Sequence, residues 1–323
     1  MKRSTIWLIV GGAVLAALAV VLLPLLGLAI CFRNEIRDWI VGEWVDRSGG
    51  TVLVYVMQQD APGASLPDAK EVRQRILRRI DPEGRRCCEV VVRDSAVEVR
   101  VRGDAARADS VKRLLSRAGH LEFRIVADRV KDRDQADFGR LVRLKKEGLP
   151  PDDPRFRWFL VKRGWEWYKR SSGNLLDAWN FVYVADEAKQ EVEALVNVAD
   201  GQDVTGLDLA SAGAASSDGV PVVSFTLKPG AAGRFARLTS PENRDRQLAV
   251  ILDGVIQSAP TLRTTLSTDG IIVGYTDRQE QEDIVSILKS GELGCRLGNP
   301  VREEPFGPGG PQRRDAPAEA ARH

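Results

Sequence analysis

Hydrophobic and polar positions alternate along residues 44–127 in a pattern that predicts a small α+β domain. Thr51–Gln58 is rich in β-branched residues, and Ala96–Arg102 alternates apolar with polar side chains as a half-buried strand does. Apolar residues recur at helical spacing within residues 66–80. The predicted order is β-α-β-β-α-β with His120–Val126 as the last strand, which is the order of a ferredoxin-like base.

Residues 221–300 show a related pattern around one predicted hairpin, Leu248–Pro260, with the sequence LAVILDGVIQSAP. Its first residues are all apolar, so we expect a strand buried on both faces. Asp253-Gly254 predicts the turn, because a type I′ turn requires positive φ at both central positions. A catalytic carboxylate is the alternative for Asp253, but aspartate before glycine already has a turn role, which we favour. Residues 221–300 are therefore predicted to form a second α+β unit.

Residues 128–220 differ from both neighbouring segments in their aromatic content. Nine of the twenty aromatic residues of the chain lie within residues 156–183. Such density fits a surface that grips extended apolar chains, since rigid rings give large contact areas. Core packing is the alternative, and it is the commoner role of aromatic residues in strands. The candidate polypeptide-binding residues are Phe156, Trp158, Phe159, Trp165, Trp167, Tyr168 and Trp179. By composition, residues 210–219 indicate a flexible loop.

The N-terminal region contains an uncharged apolar stretch of 25 residues, Ile6–Ile30, long enough to span a bilayer. Two basic residues within residues 1–5 predict a cytoplasmic N-terminus and a body on the exported, periplasmic side. We expect an uncleaved single-pass anchor in the inner membrane. A cleaved signal peptide and lipid attachment at Cys31 are the alternatives. Residues 304–323, rich in Pro, Gly, Arg and Ala, predict a disordered tail.

The composition argues against several classes of function. The net charge is only +2, so the basic excess of a nucleic-acid-binding protein is missing. The two histidines, the absence of a CxxC motif and the absence of a phosphate-binding loop give no support for an enzyme, a metal or a cofactor. A disulfide between Cys87 or Cys88 and Cys295 stays open at this point.

The hairpin and the segments around it resemble one protein family. LAVILDGVIQSAP is similar to the LAIVLDG…SAP signature of SecD, the large exported domain of the SecDF protein-translocation accessory factor. Residues 119–124 resemble the A-x-L-E-F-R strand of that family, residues 46–53 its glycine-rich strand entry, and residues 288–293 the segment that follows the hairpin. The likeness extends over residues 44–299. The residues that carry the signature are Gly49, Gly50, Leu121, Glu122, Phe123, Arg124, Leu252, Asp253, Gly254, Ser258, Ala259, Pro260, Ser290 and Gly291.

The resemblance implies an α+β fold like the first exported (P1-like) domain of that family. We expect a ferredoxin-like (βαββαβ) base at residues 44–127 and an inserted α+β head subdomain at residues 128–220. A second SecD-like unit at residues 221–300 would follow, and one transmembrane helix at residues 6–30 would precede the base.

The implied role is assistance to protein translocation across the cytoplasmic membrane by binding an emerging polypeptide. The implied partners are the Sec translocon, or other SecD/SecF-like membrane subunits, and unfolded exported polypeptide. SecD proteins continue into a transmembrane bundle that couples proton flow, and this sequence has none, so we expect no proton coupling of its own. The alternative is an envelope scaffold that reuses a SecD-like domain and has no export role.

Overall fold

The computed structural model of the protein describes residues 49–59, 65–132, 134, 136–170, 180–199, 201–275 and 277–307. The predicted anchor at residues 6–30, Cys31 and Trp179 lie outside these ranges, as does most of the predicted tail. Among the helices of the described ranges, none has both the length and the apolar composition needed to cross a bilayer.

Six helices and fourteen strands make up the described α+β fold. The helices are α1 (Ala69–Ile80), α2 (Ala105–Leu115), α3 (Phe138–Lys146), α4 (Gly164–Arg170), α5 (Pro229–Leu238) and α6 (Arg278–Ser290). The strands of the first half are β1 (Gly50–Val56), β2 (Cys88–Arg93), β3 (Ala96–Arg102), β4 (Leu121–Val126), β5 (Phe156–Val161), β6 (Tyr183–Asp186) and β7 (Glu191–Asn197). The remaining strands are β8 (Val204–Thr205), β9 (Leu209–Ser217), β10 (Val220–Leu227), β11 (Leu248–Leu252), β12 (Val255–Ser258), β13 (Asp269–Ile272) and β14 (Arg302–Phe306).

The first sheet is antiparallel with the order β14-β1-β3-β2. β1 enters it at Gly50, where a Cβ atom would lie 2.0 Å from the carbonyl oxygen of Val101, so only glycine allows this close strand approach. The prediction that His120–Val126 is the fourth strand of this sheet is wrong. β14, from the other end of the described chain, occupies the place beside β1.

β14 also corrects the predicted start of the disordered tail. Residues 304–306 belong to this strand and pair with β1, and the Phe306 side chain is buried against Val52. The composition of the tail gave no indication of this strand, because proline and charged residues are typical of disordered segments. Such residues are also tolerated in a strand whose edge faces solvent.

The second sheet has seven strands in the order β6-β7-β5-β12-β11-β4-β8. It takes strands from all three predicted units, residues 44–127, 128–220 and 221–300. β4 is the sixth strand of this order, and it pairs with β11 and β8 as well as with β7. All six residues of β4 are buried, which explains why this strand is not found at the edge of the first sheet.

A third sheet has the order β13-β10-β9. Its edge strand β9 covers most of residues 210–219, so the predicted flexible loop is wrong. Asp218 and Gly219 adopt φ values of 51° and 78° and form a tight turn, which lets the small residues of β9 pair with the β-branched β10. α6 packs against α1 on one side and against β9 and β10 on the other, joining the first and third sheets through one large apolar core.

Candidate functional site

The aromatic segment divides between the two faces of the seven-stranded sheet. Along β5, Phe156 and Trp158 point to one face and pack with Leu141 of α3. Phe159 points to the other face and is buried in a second cluster with Ile251 and Ile256. Successive side chains of a strand point in opposite directions, so one surface built from all the candidate residues does not form.

A ladder of rings lies on the second face, beside α4. Trp165 stacks on Tyr168 with centroids 5.3 Å apart, and Tyr168 meets the edge of Tyr183 at 6.3 Å. α4 can lie this close to the sheet because its first residue is Gly164, whose added Cβ would come within 2.8 Å of the Cβ of Val192. Trp165 and Tyr168 pack against the core and therefore support the surface next to them.

An apolar cleft of about 190 Å³ opens between this aromatic layer and the end of the signature hairpin. Aromatic residues form one wall, and the residues that follow β12 form the other. Among the described residues that line it, none is charged. The lining consists of Val126, Val161, Trp167, Phe181, Tyr183, Val192, Ala194, Ile256, Ser258, Ala259, Pro260, Val273 and Gly274.

Ser258 is the one hydroxyl that the hairpin contributes to the lining of the cleft. It is only 3% exposed, and its Oγ has no hydrogen-bond partner among the described residues. A buried hydroxyl without a partner is costly, so an occupant that offers a polar atom at this point would gain free energy. The cleft can therefore hold an apolar group and accept or donate one hydrogen bond.

Ion pairs fix the rim of the cleft where β5 ends. Glu280 of α6 binds Lys162 at 2.5 Å and Arg163 at 3.2 Å, and Arg163 also donates to the carbonyl of Gly274 at 3.3 Å. Burial lowers the pKa of Lys162, and the hydrogen bond to Glu280 opposes this shift. These contacts tie the rim to α6, so the wall at Gly274 does not depend on the cleft being filled.

A larger cavity of about 860 Å³ lies beside α3. Its lining includes Arg129, Asp134 and Asp137 together with Phe138 and Val182. This mixture of charges at its surface fits an apolar polypeptide less well than the uncharged cleft does.

Asp253 of the signature hairpin has a structural role beyond its turn. Asp253 and Gly254 have φ values of 52° and 78°, which confirms the predicted turn. The Asp253 Oδ1 accepts hydrogen bonds from the backbone N–H groups of Gly119 and His120, both at 2.8 Å. The hairpin thereby holds the loop that leads into β4, and Leu252 pairs with Leu121 at its base.

Arg79 of α1 connects the loop before the LEFR strand to the signature residues Ser290 and Gly291. It was not identified from the sequence. The side chain is 1% exposed and donates to Ser290 Oγ at 2.8 Å, to the carbonyl of Gly291 at 2.7 Å and to that of Ala118 at 3.1 Å. It therefore satisfies carbonyl groups where both α2 and α6 end. A Cβ on Gly119 would lie 2.8 Å from Arg79 Nη2, which explains the small residue there.

The polar members of the LEFR strand form a network with His120. The buried Glu122 carboxylate lies 3.4 Å from His120 Nε2, from Arg124 Nε and from Arg157 Nη2, and Arg124 also binds Asp203 at 2.8 Å. Phe123, on the opposite face of the same strand, packs on Phe225 and Phe235 with centroids 5.1 and 5.4 Å away. These residues stabilise the fold and do not line the cleft.

Of the candidate polypeptide-binding residues, only Trp167 lines the cleft among those that the structure describes. Phe181 and Tyr183, which complete its aromatic wall, belong to the same dense segment but were not selected. Ser258, Ala259 and Pro260 were predicted only as family-signature residues. The sequence signal that could have connected these hairpin residues with the cleft was the absence of charge at the end of the hairpin. Trp167 is far from this end in sequence, so the contact between them was not predicted.

Within the described ranges, no group of three or more His, Cys, Asp and Glu side chains could hold a metal ion. The three cysteines in those ranges, Cys87, Cys88 and Cys295, are buried and form no disulfide bond. The pairing of Cys295 with one of the other two, left open by the sequence, does not occur in this structure.

Comparison with known proteins identifies the region that contains most of the cleft. Residues 181–295 match the family model described as SecDF, P1 head subdomain. That range includes Phe181, Tyr183, the signature hairpin and α6, and it overlaps both predicted segments 128–220 and 221–300.

Similar sequences are translocase subunits. The SecD subunit of Aquifex aeolicus is 27% identical over 186 residues, which cover 57% of this chain and 29% of that protein. The SecD subunit of Leptotrichia buccalis is 41% identical over 90 residues, covering 27% of this chain and 22% of that protein. The chain thus matches less than a third of the length of these relatives.

Solved structures show the same fold. A crystal structure of SecDF in a super-membrane-facing form aligns with a TM-score of 0.54 at 22% identity, covering 81% of this chain and 31% of that chain. A structure of the membrane component SecDF that enhances protein export aligns with a TM-score of 0.50 at 23% identity, covering 77% of this chain and 98% of that chain. Residues 181–295 are therefore similar to the SecDF P1 head subdomain, and the chain resembles part of the SecD and SecDF translocase subunits.

Proposed function

We propose that this protein assists protein export by holding apolar side chains of an emerging, unfolded polypeptide in the cleft between Trp167 and Pro260. The observation that supports the proposal most is the uncharged lining of the cleft, formed by the aromatic segment and the family signature together. The names of the similar proteins, translocase subunits SecD and SecDF, agree with a role in export.

The size of the cleft favours a single side chain as its occupant. An apolar protein cavity of about 150 Å³ accommodates a benzene molecule. The volume of about 190 Å³ is therefore enough for an aromatic or large aliphatic side chain. Small-molecule pockets are larger, about 300–1,000 Å³. An extended chain lying along the rim could then offer a backbone N–H or C=O group to the buried Ser258 hydroxyl.

The other parts of the proposal, which concern the membrane anchor, the base and the partner, follow the predictions made from the sequence. Residues 6–30 would anchor the protein in the cytoplasmic membrane as a single span, with the described domains on the periplasmic side. The four-stranded sheet with α1 and α2 would form the ferredoxin-like base, with β14 as its fourth strand. The Sec translocon, or SecD/SecF-like membrane subunits, would be the partner, and any proton coupling would come from that partner.

Site-specific photocrosslinking in cells tests the proposal. A photoreactive phenylalanine analogue replaces Trp167 in the full chain, and an exported protein is arrested during translocation. We expect a crosslink to the arrested polypeptide. The matched control carries the same analogue at Trp158, which lies on the opposite face of the sheet against Leu141, and no such crosslink is expected there.

A second variant separates binding in the cleft from proximity to it. Ala259→Leu fills the cleft, whereas Ala214→Leu adds the same atoms to the exposed edge of β9. The first should reduce the crosslink from position 167 several-fold, and the second should leave it unchanged. Equal crosslinking in both variants would refute the cleft as the binding site. Capture of one folded partner, with or without an arrested chain, would instead support the scaffold function.

A further inference from the structure

Two adjacent cysteines, Cys87 and Cys88, lie where the loop after α1 enters β2. Their sulfur atoms are 4.0 Å apart, with the Cys88 thiol donating to the Cys87 sulfur. The two side chains differ in exposure, since Cys87 is 9% exposed and Cys88 is 4% exposed, whereas Cys295 is fully buried. Cys87 is thus the thiol that a small reagent reaches first.

Two charged side chains, of Arg107 and Asp81, interact with Cys87. Arg107, an exposed residue of α2, places its Nη2 2.6 Å from the Cys87 sulfur. Asp81, at the end of α1, also interacts with Cys87 and accepts hydrogen bonds from the backbone N–H groups of Arg85 and Arg86. A thiol with an adjacent cation and a neighbouring thiol donor has the surroundings that activate cysteine.

The hydrogen bond between the two thiols shifts their pKa values in opposite directions. The hydrogen bond from Cys88 lowers the pKa of Cys87 to about 7, with Arg107 acting in the same direction and burial and Asp81 opposing it. The same hydrogen bond and burial raise the pKa of Cys88. The hydrogen bond therefore favours the thiolate at Cys87 and the protonated thiol at Cys88.

We propose that Cys87 and Cys88 form a redox-modification site in which a small peroxide converts the two thiols into a disulfide between adjacent residues. The Cys87 thiolate attacks one oxygen of hydrogen peroxide, breaking the O–O bond and releasing hydroxide, and becomes a sulfenic acid. The Cys88 thiol then attacks that sulfur and expels water. Two thiols and one peroxide give one disulfide and two waters, so the peroxide is reduced as the cysteines are oxidised.

The disulfide would be easy to reduce again. Adjacent Cα atoms are about 3.8 Å apart, shorter than the usual disulfide range of about 4.4–6.8 Å, and such deviations store strain that favours reduction. Formation also requires the sulfurs to approach from 4.0 Å, which changes the packing of both cysteines in the large apolar core. The backbone N–H of Arg102 donates a hydrogen bond of 3.0 Å to the carbonyl of Cys87, next to the start of β2. The oxidised state would therefore loosen the start of β2.

Mass spectrometry of the full chain tests the proposal directly. The chain is treated with hydrogen peroxide at neutral pH, denatured in N-ethylmaleimide and digested with trypsin, which releases residues 87–93 as one peptide. We expect that peptide without maleimide and lighter by two hydrogens than its reduced form, while Cys295 is labelled. Recovery of that peptide with a maleimide on each cysteine, or equal oxidation of Cys295, would overturn the proposal.

Variants identify the order of the steps. In Cys88→Ser, peroxide should leave Cys87 as a sulfenic acid that reacts with dimedone. In Arg107→Gln, alkylation of Cys87 at neutral pH should slow by a factor of about three to ten, because the thiolate loses an adjacent cation. Arg113→Gln removes the same charge from the same helix, where it pairs with Asp283, and should not change the rate. Equal rates in both arginine variants would refute the activating role of Arg107.

Discussion

At the residue scale, Arg79 shows how one buried charge can organise several chain segments. Its described acceptors are a hydroxyl and four backbone carbonyls, which belong to the ends of α2 and α6. Burial lowers the pKa of Arg79, and the negative charge of Asp253 opposes the shift. Such a side chain is costly to bury alone but repays the cost when its donors are satisfied. The segments that follow α2 and α6 thus meet at this residue.

His120 provides a prediction of pH dependence. Hydrogen bonds to Glu122 and then to Glu292 raise the pKa of His120 from 6.5 to about 10. A raised pKa in the folded state means that the stabilisation is complete below pH 6.5 and is lost as the pH rises through about 10. Glu292 has a lowered pKa because of its hydrogen bond to His120, so its share of the stabilisation is lost on strong acidification.

We therefore expect His120→Gln to lower the free energy of unfolding most at pH 5–6.5 and least near pH 10. The effect should stay below about 1 kcal/mol, because His120 is partly solvent-exposed and the pairs are screened. Urea denaturation across this pH range measures it. His323→Gln replaces the only other histidine of the chain and serves as the control. A difference that grows towards pH 10 would contradict the assignment.

At the element scale, the signature hairpin is stabilised by its own turn and by a tertiary contact. The contributions of these two features to stability can be measured separately. Asp253 and Asp94 both precede a hairpin strand with positive φ, 52° and 51°. Among the contacts of the described residues, Asp253 has a role beyond its turn and Asp94 does not, since the Asp253 carboxylate accepts hydrogen bonds from the backbone N–H groups of Gly119 and His120. The two aspartates are thus matched in φ and differ in what the carboxylate holds.

Asp253→Ala should destabilise the protein by about 1–3 kcal/mol more than Asp94→Ala does, because two backbone N–H groups lose their acceptor. Both variants remove an aspartate of positive φ from the first position of a hairpin turn, so the difference reports mainly the tertiary contact. Chemical denaturation of the two variants measures it. Equal losses would mean that solvent replaces the carboxylate without cost.

At the scale of the whole molecule, the two ends of the described chain meet in one sheet. β1 begins that sheet and β14 completes it, and they bury Phe306 against Val52 and Val54. The long sequence separation makes this pairing non-local. The first sheet is thus complete only after all of the intervening sequence has been placed.

Truncation tests the contribution of β14 to the stability of the first sheet. A chain ending at residue 300 lacks β14 and should lose about 2–4 kcal/mol of stability through the lost strand pairing and the lost burial of Phe306. A chain ending at residue 307 keeps every described contact and serves as the control. Thermal denaturation followed by circular dichroism compares the two. Identical melting temperatures would show that β14 contributes nothing to the stability of the first sheet.

Local sequence signals predicted most elements of this protein. The period-two alternation of β3, the apolar run of β11 and the turn at Asp253-Gly254 all appear where expected. Each depends on φ/ψ preference and side-chain alternation over a few residues, which the sequence carries directly. The same hairpin supplied the resemblance to SecD that the comparisons support.

Tertiary structure alone decided which strands pair and what they enclose. The sequence predicted β4 as a strand of the first sheet and predicted a disordered tail where β14 lies, and only the packing of the whole core places β14 beside β1 and β4 in the second sheet. The cleft likewise joins Trp167 to Ser258 and Pro260 across a long separation in sequence. Such contacts depend on the summed packing of many residues, so no short segment of the sequence encodes them.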